Sequence, residues 1–129
     1  GKYADVWHYK HMINPREISV GSNMPPYPHL AKETIDFADT ASKLRAMRTV
    51  GVPYAAADIQ TAEQNAQTEA SAIAAGLAKE AGVKVCEEPS GDCELLVNSR
   101  LVALIAYLQR LGRAPEAESL ATAAEESSP

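Results

Sequence analysis

The sequence predicts an all-α fold, and three observations support it. Apolar residues recur at steps of three and four along 57–81 and 98–111, as amphipathic helices require. Much of the 46% apolar content is alanine, with one Trp, five Tyr and one Phe, which suits thin helix faces and argues against a β-sandwich. Proline and glycine separate the periodic stretches at Pro15, Gly51, Pro53, Gly82 and Gly112.

The elements follow in order. Residues 1–13 read as a short helix with Asp5 as N-cap, an apolar surface of Val6, Trp7, Tyr9, Met12 and Ile13, and Asn14-Pro15 as its stop. Residues 15–28 read as loop, and 30–39 as poorly patterned with one short turn. Thr40 N-caps a helix to Val50, after which Gly51 takes the C′ position and Pro53 prevents continuation. Its Lys43, Arg45 and Arg48 suit a solvated face, an acidic partner or a propionate. A long helix over 57–81 carries Ile59, Ala62, Ala66, Ala70, Ile73 and Leu77 on one stripe. Because small residues dominate it, this helix is expected to be a peripheral brace. The last helix, 98–111, presents Leu101, Leu104, Ile105, Leu108 and Leu111 and is the expected centre of the core, with Arg110 suiting its dipole and Gly112 its cap. Residues 113–129, rich in Pro, Glu, Ala and Ser, are expected to be a frayed or disordered tail.

At 129 residues the chain has the length of one domain with a real core. No apolar run approaches the roughly 20 residues that span a bilayer, and no signal peptide is evident, so the chain as given is expected to be soluble. A net charge of −5 without a basic stripe argues against nucleic acid as a partner. Cys86 and Cys93 are separated by six residues, which fits neither a Cys-x-x-Cys redox pair nor a zinc knuckle. A local disulfide is the expected use in an oxidising compartment, and two free thiols in a reducing one.

The stretch Gly21-Ser22-Asn23-Met24-Pro25-Pro26-Tyr27-Pro28 stands apart. Three prolines in four positions each lack an N–H and fix φ, and each also restricts the residue before it. The result is a stiff, polyproline-like arm with Gly21 as its joint and the thioether of Met24 at its base. Two uses of that sulfur stand at this point: a bond to haem iron, as in c-type cytochromes, or packing beneath a turn. His8 and His11, at i and i+3, could share a metal, with Met24 as a third ligand, but solvated histidines are the commoner outcome. No Gly-x-Ser-x-Gly, phosphate loop or His-Glu-x-x-His is present, so no catalytic residue is assigned.

Taken together, Gly1-Lys2-Tyr3, Trp7-His8-Tyr9-x-His11, Asn14-Pro15-Arg16, the Ser22–Pro28 arm, Lys43-Leu44-Arg45-Ala46, Gly51-Val52-Pro53-Tyr54 and Leu104-Ile105-Ala106-Tyr107-Leu108-Gln109-Arg110-Leu111-Gly112 resemble one family. It is the mono-haem cytochrome c subunit (subunit II, FixO/CcoO type) of cbb3-type cytochrome c oxidases. The resemblance implies a cytochrome c-like helical domain over 1–112, incomplete at its N-terminus and carrying a two-helix insertion at about 36–95. It implies haem c in the intact protein, with Met24 as the axial iron ligand and Trp7, Pro25 and Tyr27 in the haem pocket. It also implies electron transfer towards a haem–copper catalytic subunit beside a second cytochrome c subunit. The location would be the periplasmic side of the bacterial inner membrane, with the anchor outside this chain.

The family attaches its haem through Cys-x-x-Cys-His, which this sequence does not contain, and His29 stands where the family usually has Trp. The chain is therefore expected to be haem-free by itself, with the arm floppy or repacked. The apolar face of its last helix would then be covered by a second copy or by the 57–81 helix. A haem-free helical interaction or assembly module is the alternative function.

Overall fold

The computed structural model of the chain describes residues 2–111, so the expectations for Gly112 and for the 113–129 tail lie outside the described residues. The fold is all-α, with six helices among the described residues: α1 (Asp5–Ile13), α2 (Pro15–Ile18), α3 (Thr40–Thr49), α4 (Ala56–Gln60), α5 (Ala62–Ala81) and α6 (Arg100–Arg110). Two 3₁₀ turns cover Pro28–Ala31 and Phe37–Asp39, and two short strands, β1 (Val85–Cys86) and β2 (Leu95–Leu96), pair in parallel. No described helix is long and apolar enough to cross a membrane.

The contacts divide the chain into two compact units. The first comprises residues 2–35 and Glu69–Leu111. Its buried side chains come from α5 (Ala70, Ile73, Ala74, Leu77), β2 (Leu95, Leu96) and α6 (Leu101, Val102, Ile105), joined by Pro15, Ala31, Val83 and Cys93. α6 packs against α1 and against the Pro28–Ala31 turn, and α1 packs against α2. The Ser99 hydroxyl caps α6 by accepting from the Val102 N–H at 3.2 Å. An antiparallel bridge, Thr34 with Ser99, holds the chain entering α6, with the Ile35 N–H donating to the Asn98 carbonyl at 2.8 Å.

The second unit is residues 36–68. There α3 packs on α4, and Gly51 at φ 101° turns the chain between them. The Gly51 N–H donates to the Arg48 carbonyl and the Val52 N–H to the Met47 carbonyl, the paired bonds of a Schellman C-cap.

Several elements differ from the sequence reading. Ala4, not Asp5, is the N-cap of α1, and no side chain caps that end; the Asp5 carboxylate instead accepts from Gln109 Nε2 at 2.8 Å. Pro15 starts a helix as well as ending one, because a missing N–H costs nothing at the first helical position. The expected 57–81 helix is two helices broken at Thr61, whose hydroxyl bonds back to the Ala57 carbonyl at 3.0 Å. The C-terminal half of α5 is core and not a brace: Leu77 has no exposure, and the Glu69 carboxylate meets Arg110 of α6 at 3.1 Å. Thr40 opens α3 but does not cap it, since Asp39 holds that position without a side-chain bond. On α6, Leu104 and Leu108 are half-buried and Leu111 is exposed, so the buried stripe runs through Leu101, Val102 and Ile105.

Candidate functional site

The arm is fixed at both ends. At its start Gly21, at φ 82°, follows the α2 turn, and the Ser22 N–H donates to the Ser19 carbonyl at 3.1 Å. At its end the Tyr27 N–H donates to the Met12 carbonyl at 2.8 Å, tying the arm to the last turn of α1. Between these points the Ser22 hydroxyl accepts from the Met24 N–H at 3.2 Å, fixing the backbone that carries the sulfur. Prolines make this local hydrogen bonding count: with three N–H groups missing, the donors at Ser22, Met24 and Tyr27 set the path of the arm. Met24 and Tyr27 are half-buried, while Pro25 and Pro26 are exposed.

Trp7 lies on α1, which has no buried residue although Val6, Trp7, Tyr9, Met12 and Ile13 are all half-buried. Its indole is the middle ring of a ladder. Tyr3 stacks on it at 4.2 Å between centroids and 15° between planes, and His11 stacks at 4.7 Å and 16°. His8 meets the same indole edge-on at 5.2 Å. The spacing of four puts Trp7 and His11 on one face of α1, whereas Tyr3 precedes the helix and reaches the indole from the bend before Ala4. His11 Nδ1 is buried and has no hydrogen-bond partner among the described residues.

Burial lowers the His8 pKa, outweighing the nearby Asp5 carboxylate, with His11 adding to the lowering. Burial raises the Tyr9 pKa, and the Glu94 carboxylate adds to that shift. Gln109 of α6 donates to the Tyr3 carbonyl at 2.7 Å as well as to Asp5, binding the start of the chain to the last helix. A cleft of about 350 Å³ opens there, lined by Lys2, Tyr3, Asp5, Gly76, Glu80 and Gln109, and it does not include Met24.

The four predicted site residues are therefore brought together only in part. Tyr27 and α1 are joined through the backbone, but among the described residues no hydrogen bond or ring contact links Trp7 to Met24 or Tyr27. No group of three or more His, Cys, Asp or Glu side chains among the described residues is placed to hold a metal ion. Cys86 and Cys93 form a disulfide, as the sequence led one to expect.

These positions bear on the haem c that the resemblance implies. With both sulfurs joined to each other, the two cysteines leave no thiol for attaching a porphyrin. A half-buried thioether on an arm held at both ends does fit one axial position. The fit thus concerns the iron ligand and not the attachment.

No curated protein matches the sequence. The family described as "Cytochrome C oxidase, mono-heme subunit/FixO" matches residues 1–114, which include the arm, the aromatic ladder and every described helix. The chain accordingly belongs to the mono-haem FixO subunit family of cytochrome c oxidase.

Proposed function

We propose that this chain is part of the haem-bearing electron carrier of a cbb3-type oxidase, with Met24 as the sixth ligand of the iron. The observation that carries the reading is the position of Met24 on a proline arm hydrogen-bonded at both ends, inside the family match. When bound, haem c supplies a one-electron couple whose potential rises with thioether ligation. The chain's own part is positional. Pro25 and Pro26 restrict the arm, the hydrogen bonds of Ser22 and Met12 fix it, and the half-buried Trp7 and Tyr27 would line the haem pocket. Electrons would pass towards a haem–copper catalytic subunit, beside a second cytochrome c subunit, on the periplasmic side of the inner membrane. Membership in the oxidase subunit family supports this setting. The segment at about 36–95 would be an insertion in the cytochrome domain; the change of compact unit at Asp36 supports its start, while 69–95 belongs to the first unit, so only 36–68 stands apart.

The test is the visible spectrum of the haem-loaded oxidase subunit with Met24→Ala against the parent. Loss of the six-coordinate low-spin signature of this haem supports the reading, and an unaltered spectrum refutes it. Trp7→Leu is expected to keep the ligation while shifting the potential through greater water access.

A further inference from the structure

The 36–68 unit contains a charge segregation that the electron-transfer reading does not use. The whole chain carries −5, yet residues 40–57 contain no Asp or Glu while holding Lys43, Arg45 and Arg48. α3 has no buried residue. Lys43, Met47 and Val50 stand at i, i+4 and i+7 and share one face, on which Met47 is 47% and Val50 78% exposed. The turn that follows, Val50-Gly51-Val52-Pro53-Tyr54, has no charge at all. Its Pro53 is exposed and Tyr54 half-buried, and the paired hydrogen bonds at Gly51 hold the turn in shape.

We propose that this end of α3, with the α3–α4 turn, is a membrane-surface contact that takes anionic phospholipid. Met47, Val50 and Pro53 would enter the boundary between headgroups and acyl chains, Tyr54 would lie at headgroup level, and Lys43 and Arg45 would meet lipid phosphates. Charge complementarity selects the occupant. Apolar residues standing exposed at the tip, with the cations of α3 before them and Asp58 as the first charge after them, match a surface that is apolar within and anionic outside, and a purely acidic protein face would leave Val50 and Pro53 in water. Membership in an oxidase subunit family provides a bilayer nearby. The net negative charge of the chain opposes such binding, so the attraction is local and depends on these few side chains.

The test uses the full chain in flotation with vesicles of phosphatidylglycerol and phosphatidylcholine in equal parts, against phosphatidylcholine alone. The chain is expected to float with the anionic vesicles, less so as salt is added, and to stay behind with the neutral ones. Val50→Asp is expected to weaken partition about tenfold, and Lys43→Gln and Arg45→Gln about fivefold each. Val20→Asp, at a 96% exposed apolar residue outside this unit, is the control and should change nothing. Unchanged helicity by circular dichroism confirms that each variant is folded. Failure of the parent to float, equal binding to neutral vesicles, or undiminished binding by the Val50 and Lys43 variants would each overturn the proposal. So would retention on immobilised polyglutamate without flotation, the mark of an acidic protein partner.

Discussion

Leu77, Leu101 and Ile105 have no solvent exposure, and each sits on a helix whose neighbours fix its rotamer. Leu77→Ala is therefore expected to lower unfolding free energy by about 2–5 kcal/mol, measured by urea titration, because a cavity adds to the lost transfer energy. Leu111→Ala, at a 56% exposed position on the same sequence stripe, should change it by less than about 0.5 kcal/mol. His8 makes a pH prediction. Its folded pKa lies below 6.5, so on acidification the unfolded chain takes up the proton first. Its contribution is complete above about 6.5 and is lost as pH falls through the folded value. A thermal melt series should show stability declining below neutrality, and His8→Gln should flatten that decline. At this scale the sequence made Met24 conspicuous because Pro25, Pro26 and Pro28 follow it directly. The stacking of His11 on Trp7 was equally present as a four-residue spacing, but side-chain planes are set by packing that no periodicity contains, and Tyr3 joins them from outside the helix.

Among the elements, α1, α3, α5 and α6 were legible from their apolar spacing and the Pro or Gly beyond them, although the N-caps expected for α1 and α3 were not the ones used. The elements missed are those too short for a period to register: α2 has four residues, and β1 and β2 have two each. The break at Thr61, whose N–H and hydroxyl both donate to the Ala57 carbonyl, escaped because Ile59, Ala62, Ala66 and Ala70 keep an unbroken helical spacing across it. Two caps provide tests. Ser99→Ala removes the side-chain acceptor at the start of α6 and should cost about 1 kcal/mol. Gly51→Ala keeps the space, with no atom within 4 Å of an added Cβ, but puts a side chain at φ 101°, and should cost about 1–2 kcal/mol by the same titration.

For the molecule as a whole, the Cys86–Cys93 disulfide and the parallel β1–β2 pair close the same short ring beneath Leu95 and Leu96, which are buried. Reduction is expected to lower stability by about 2–3 kcal/mol, the chain-entropy value for a ring of this size, readable as a drop in melting temperature on adding dithiothreitol. The helical class and family were legible because motifs spread over most of the chain pointed the same way. The division into two compact units was not, because it depends on contacts between residues far apart in sequence. Electron transfer in this account rests on one atom, and a potentiometric titration of the haem-loaded oxidase subunit with Met24→His tests it most directly. Exchange of a thioether for imidazole should lower the midpoint potential of this haem while keeping it low-spin. A midpoint equal to the parent's would contradict the account, because the iron would then take its sixth ligand from elsewhere.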